Sequence, residues 1–252
     1  MKQKHVIFTL LLLTSNFVNG QEKVYYDVDG NITKDINLAT YYTITLKSAV
    51  GKDSLFNETD YYTNGQKKAV ESYLTKYKNG KSTSNYLIGE KWEWFENSTI
   101  KLKANYKDGQ LNGEFLTYWS NGIQRRKDLF KKGKLIEGNC YDSIGNKLSK
   151  YFPYETIPEF PGGDDKLFQF LAEEVKYPVK ALEGGIQGRV VTQFYVETDG
   201  RITDIKIVKN VNSYLDDEAY RIINSMPKWK PGTIEGQKVR VKFTLPINFR
   251  LQ

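Results

Sequence analysis

The chain has almost no histidine or cysteine. Its 252 residues contain one of each, His5 and Cys140, together with two methionines and seven prolines. His5 lies in an N-terminal stretch that reads as an export signal, so the mature chain is expected to carry no imidazole. That argues against Ser-His-Asp or Cys-His catalysis, the common zinc sites and histidine pH switching, each of which needs a group titrating near neutrality or a cluster of soft ligands. A lone cysteine excludes an intrachain disulfide and leaves open a disulfide-linked homodimer through Cys140. No metal or cofactor is expected.

A hydrophobic run long enough to span a bilayer is absent as well. Lys2 and Lys4 precede a mostly apolar stretch from Val6 to Val18, and Val18, Asn19 and Gly20 place short side chains before a cleavage point at Gln21. This stretch falls short of the roughly 20 residues a membrane-crossing helix needs, and Thr14, Ser15 and Asn16 interrupt it. Residues 1–20 are therefore read as a signal peptide that sends the protein to an oxidising, non-cytoplasmic compartment, with membrane anchoring as the outcome if the segment is retained.

Charge of one sign is not concentrated anywhere. The net charge is +7; residues 21–150 hold 21 basic and 16 acidic side chains, and residues 151–252 hold 14 of each. The excess belongs to the first part and is interleaved with acids, the pattern of a solvated surface rather than of a nucleic-acid footprint. Nucleic acid is not expected as a partner.

What the chain does have is a repeat. Gly89-Glu90 followed by Trp94 to Ser98 recurs as Gly113-Glu114 followed by Tyr118 to Gly122, a shift of 24 residues. Tyr61 to Gly65 is an earlier copy, and Tyr25 to Gly30 and Tyr141 to Gly145 are weaker terminal ones. A second turn recurs in Tyr77 to Gly80, Tyr106 to Gly109 and Phe130 to Gly133. Asn-Gly and Asp-Gly accept the positive φ of two-residue type I′ hairpins, so each copy is expected to be strand, turn, strand, turn. The aromatic before each turn is expected to pack across strands, with a carbohydrate platform as the alternative use of these rings. Glu58, Glu90, Glu93, Glu96 and Glu114 are expected at solvent-facing strand positions rather than as paired glycosidase carboxylates.

Composition changes after residue 150. Pro158 to Gly163 form an extended lead-in, Asp164 is the expected helix N-cap, and Leu167, Phe168, Leu171 and Val175 recur at helical spacing until Tyr177-Pro178. Val190, Phe194 and Val196 mark a strand that turns at Asp199-Gly200 and returns over Ile202 to Val208. Ser213 with Asp216 resembles a capping box ahead of Leu215, Ala219, Ile222, Ile223 and Met226. A last strand is expected from Val239 to Phe249, alternating apolar and polar, with Pro246 marking it as an edge strand.

The repeats resemble the MORN-type repeats of exported and antitoxin-like bacterial proteins. The second part resembles the C-terminal domain of the energy transducer TonB, on Lys176-Tyr177-Pro178, Gly185 to Val190, Asp199-Gly200, Leu215 to Ala219, Met226 to Gly232 and Leu245 to Phe249. Pro158 to Gly163 match the form of that domain common in Bacteroidetes-type proteins. The expected architecture is a signal peptide (1–20), an all-β array of MORN-like hairpins (21–150), a linker (151–163) and an α+β TonB C-terminal-like domain (164–252) ordered helix, β-hairpin, helix, strand.

The resemblance implies a periplasmic, non-enzymatic protein that takes up the N-terminal segment of an outer-membrane TonB-dependent transporter by strand addition, with inner-membrane proton-channel proteins reached through another subunit. The implied partner-binding residues are Tyr177, Pro178, Lys238, Val239, Arg240, Val241, Lys242, Phe243, Thr244 and Leu245, with Lys238, Arg240 and Lys242 as rim charges. A full transducer of this type has an N-terminal anchor and a long proline-rich spacer, so a repeat array with few prolines fits an adaptor. A structural protein of the envelope without energy coupling is the second reading. An enzyme is the third, since Asp164-Asp165 and Asp216 to Glu218 are explained as helix starts.

Overall fold

The computed structural model describes residues 22–251, so the expected signal peptide lies outside the described residues. The chain divides into two compact units between Tyr151 and Phe152.

Among the described residues the first unit is one antiparallel sheet of nine strands whose order in space is their order in sequence. They are β1 (Lys23–Tyr26), β2 (Tyr41–Val50), β3 (Asp53–Tyr62), β4 (Lys67–Lys78), β5 (Lys81–Trp94), β6 (Ile100–Lys107), β7 (Gln110–Tyr118), β8 (Gln124–Lys131) and β9 (Lys134–Cys140).

The two rims of this sheet are built from different turns. On one rim Asn79-Gly80, Asp108-Gly109 and Lys132-Gly133 all have positive φ, the type I′ hairpin expected from the sequence. On the other rim the expectation of the same turn is corrected. There the N–H of Asp27, Tyr62, Phe95, Trp119 and Asp142 donates to the carbonyl four residues on, and only Gly30, Gly65, Ser98, Gly122 and Gly145 have positive φ. These are three-residue loops closed by a bulge. Asn64, Asn97, Asn121 and Asp142 each accept, through the side chain, the N–H two residues on, which fixes the loop without a second left-handed residue.

Neighbouring loops on this rim are tied together. Asn97 Nδ2 donates to the Ser120 carbonyl and Asn121 Nδ2 to the Ser143 carbonyl, both at 3.0 Å. Tyr62 and Trp119 donate to the carbonyls of Trp94 and Tyr141. Tyr26 stacks on Tyr41 at 4.9 Å and Tyr42 on Tyr61 at 5.2 Å.

Charges are buried here too. Arg126 and Asp128 form a 3.0 Å ion pair with both side chains fully buried, and the Tyr151 hydroxyl donates to the same carboxylate. Burial, outweighing Arg126 and Tyr151, pushes the Asp128 carboxyl above its ordinary value. The Tyr151 ring lies against Gly138, where a Cβ would come within 2.3 Å of it. Glu93 is not at a solvent-facing position as expected. It joins Lys91, Glu71 and Lys101 in a partly buried network, whereas Glu90 and Glu114 are half exposed. Cys140 is buried, so a disulfide to a second copy would require the sheet to open.

The second unit is α+β: β10 (Glu155–Thr156), α1 (Gly163–Glu174), α2 (Val179–Glu183), β11 (Gly188–Val196), β12 (Ile202–Lys209), α3 (Ser213–Ser225), β13 (Thr233–Ile234), β14 (Gln237–Lys238) and β15 (Val241–Phe249). One sheet has the order β12-β11-β15, and a small one has the order β10-β13-β14. Val190, Phe194 and Val196 from β11, Leu245, Ile247 and Phe249 from β15, and Leu215, Ala219, Ile222 and Ile223 from α3 form the core. Trp229 closes it, its ring against Phe160, Phe194 and Phe243. The backbone N–H of Trp229 donates to the Gly200 carbonyl, and a Cβ on Gly200 would lie 2.1 Å from the Trp229 carbonyl oxygen.

Several local expectations shift by a residue or two. From Phe152 on, the stretch expected as a linker packs as part of this unit: Phe160 is core, and Glu159 exchanges backbone hydrogen bonds with Lys230. The helix α1 begins at Gly163 behind a left-handed Gly162, which leaves Asp164 and Asp165 in its first turn. Phe168 is 63% exposed, and Phe170 beside Leu167 and Leu171 faces the core instead. The N-cap of α3 is Asn212, and Asp216 reaches back to the Val211 N–H.

Glu218 joins the helices. It accepts the Lys176 N–H and both guanidinium bonds of Arg221, and Arg221 donates in turn to the Glu174 carbonyl at the end of α1. Burial alone would raise the Glu218 carboxyl; these donors outweigh it and hold the group below the usual carboxylate range. Among the described residues no helix is long and apolar enough to cross a membrane.

Candidate partner-binding edge

The strand β15 arises from strict alternation. Val241, Phe243, Leu245, Ile247 and Phe249 turn toward the helices, while Lys242, Thr244, Pro246 and Asn248 turn away. It pairs antiparallel with β11 in unbroken register from Gly188↔Phe249 to Val196↔Val241, and no strand flanks its other side among the described residues.

Two contacts fix which backbone groups face outward. The Thr192 hydroxyl on β11 donates to the Leu245 carbonyl at 2.8 Å, so that carbonyl points toward β11. At the far side of β11 the Glu197 N–H bonds to Arg201 in the hairpin with β12, so odd-numbered residues of β11 face β12 and even-numbered ones face β15. Both contacts give one answer. Val241, Phe243, Leu245, Ile247 and Phe249 are bonded to β11, and the backbone groups of Lys242, Thr244, Pro246 and Asn248 face outward.

The residues implied by sequence separate into three groups. Val241, Lys242, Phe243, Thr244 and Leu245 lie in β15 as expected. Tyr177 and Pro178 lie by its C-terminal end: Tyr177 donates to the Ile186 carbonyl and packs edge-on against Phe249 at 6.0 Å, and Pro178 precedes α2. Lys238, Val239 and Arg240 are not in the edge strand, which corrects the expected start at Val239. Lys238 belongs to β14, and the Val239 N–H bonds to the Gly232 carbonyl.

Arg240 is also not a free rim charge. Its guanidinium bonds Glu197 at 2.8 Å, pairs with Asp204 and lies 3.5 Å over the Tyr195 ring. The Thr203 hydroxyl and then Arg240 hold the Glu197 carboxyl below its usual range. The charge left along the edge is Lys242 with Arg250 beyond it, both exposed, and residues 241–251 contain no acid. Pro246 and Asn248 complete the outward face; Pro246 marked this edge in the sequence, but neither was among the implied partner-binding residues.

The second unit thus holds a helix-covered antiparallel sheet ending in β15, whose outward backbone groups meet no further strand among the described residues. Residues 173–251 match the family described as Gram-negative bacterial TonB protein C-terminal. Protein TonB of Xanthomonas campestris pv. campestris strain B100 is 34% identical over 79 residues, which cover 30% of this chain and 34% of that protein; its counterpart in strain ATCC 33913 gives the same figures. The chain thus spans about a third of the length of these curated relatives. An NMR solution structure of Helicobacter pylori TonB-CTD shares 28% identity over 36% of this chain and 87% of that one, with a TM-score of 0.29.

Proposed function

We propose that the second unit captures an extended N-terminal segment of an outer-membrane TonB-dependent transporter by strand addition to the outer edge of β15, in the periplasm. The observation that carries this reading is the row of outward backbone groups at Lys242, Thr244 and Asn248 on a strand with no outer neighbour among the described residues. Backbone pairing supplies the affinity and tolerates varied side chains, while Lys242 favours an acidic neighbour. The match of residues 173–251 to the TonB C-terminal family supports the same role.

In this reading residues 21–150 are a MORN-like hairpin array that offers a sheet surface to the cell envelope. The signal peptide directs export. Energy transduction reaches the domain through inner-membrane proton-channel proteins and an anchor supplied by another subunit.

Thr244→Pro tests the capture. The Thr244 N–H faces outward, so its loss leaves the ladder with β11 intact and removes one donor from the edge. A pull-down on an immobilised transporter N-terminal segment should lose binding at least tenfold with an unchanged circular dichroism spectrum. Equal binding by the variant and the parent chain would sink the assignment to this edge.

A further inference from the structure

The outward edge of β15 is incomplete at one place. Of its four outward positions, Lys242, Thr244 and Asn248 each offer an N–H and a carbonyl, whereas Pro246 offers only the carbonyl. Its ring carbons occupy the space into which an amide hydrogen would project. A strand laid along the edge therefore finds complete pairing at Lys242 and Thr244 and then a position that gives no donor and holds it off.

We propose that Pro246 fixes the length and register of the captured segment. The partner pairs with Val241 to Leu245 and its backbone leaves the edge at Pro246. This rests on the strand-addition reading above and narrows its partner to a short extended segment that places a carboxylate beside Lys242. Continued pairing toward Asn248 would leave the partner's carbonyl opposite Pro246 without a donor, a cost on the order of a tenfold loss in affinity. The same gap keeps β15 of one copy from zipping along β15 of another, because an antiparallel pair of such edges needs donors on both.

Pro246→Val tests this in the full chain. It restores an outward N–H without altering the ladder to β11, where Val191 lies opposite. The probes are overlapping short peptides covering the N-terminal segments of the source organism's outer-membrane transporters. The best binder is then N-methylated at one amide at a time, with affinity read by fluorescence anisotropy and self-association by sedimentation.

With the parent chain, methylation should weaken binding only over the stretch that pairs with Val241 to Leu245. With Pro246→Val the sensitive stretch should lengthen toward Asn248, affinity should rise about tenfold, and the chain should self-associate more strongly. A sensitive stretch that already runs past Pro246 in the parent chain, or an unchanged stretch and affinity in the variant, would overturn the proposal while strand addition stands. Peptides that bind the parent chain and Thr244→Pro equally would remove strand addition at this edge, and the proposal with it.

Discussion

Both units of this protein are antiparallel sheets, yet they bury different chemistry. In the second unit helices cover the sheet, and the interior is Val190, Phe194, Leu215, Ile222, Ile223 and Phe249 at 2% exposure or less. In the first unit no helix layer covers the sheet among the described residues, and buried polar groups such as Thr43, Asp60, Glu71, Arg126 and Asp128 stand beside the buried rings of Tyr41, Phe56 and Phe115. Side chains on a single sheet are shielded only by their neighbours along and across strands. Ring stacks, ion pairs and loop-to-loop hydrogen bonds thus do there what apolar contact does under the helices.

The contrast is broken most sharply by Phe194→Ala. Removing a fully buried ring should cost the second unit about 3–5 kcal/mol and leave the first unit's transition in place. Urea unfolding followed by tryptophan fluorescence separates the two, since Trp229 reports on one unit and Trp92, Trp94 and Trp119 on the other. One shared transition, moved as a whole, would mean that the units do not stabilise themselves separately.

Arg126→Met probes the other side of the comparison. It strands Asp128 in the first unit and should cost about 3 kcal/mol, most of which returns in the Arg126→Met, Asp128→Leu double variant. If the double variant unfolds as easily as the single one, packing around the guanidinium stem rather than the unpaired carboxylate sets the cost.

A smaller effect separates the units by pH. Glu218 has a folded pKa below its unfolded value of about 4.3, so its contribution is fully present above that value and fades as pH falls through the folded pKa. Asp128 has the opposite sign: its contribution is fully present below the unfolded value of about 3.9 and fades as pH rises toward the raised folded one. Glu218→Gln should therefore cost the second unit about 1 kcal/mol at pH 7 and flatten its loss of stability between about pH 5 and pH 3. Urea midpoints across that range check it, and an unchanged slope would rule Glu218 out as the sensitive group.

Much of this fold can be read locally. The type I′ turns at Asn79-Gly80 and Asp108-Gly109, the alternation through β11 and β12, and the apolar face of α3 each depend on residues within a few positions of one another. The other rim misled because Asn-Gly serves two loop types, and the choice is made by where the flanking strands resume pairing. Phe168 misled because helical spacing alone does not tell Phe168 from Phe170 until α1 has a partner. At the candidate site, Val241 to Leu245 were legible from alternation. Arg240 was not, since its partners Glu197 and Asp204 lie 43 and 36 residues earlier. The outward direction of Pro246 was legible in part, since a residue without an N–H suits the unpaired side of an edge, and the bond of the Thr192 hydroxyl to the Leu245 carbonyl agrees with it.

The order of strands also sets a timetable. In the first unit each strand pairs with the one made just before it, so the sheet can grow hairpin by hairpin while the rest of the chain is still being synthesised at roughly 5–20 residues per second. In the second unit β15 must return to β11, with β12 and α3 made in between, before the larger sheet is complete. A nascent chain halted before β15 would therefore display a finished first sheet beside a second one still missing an edge.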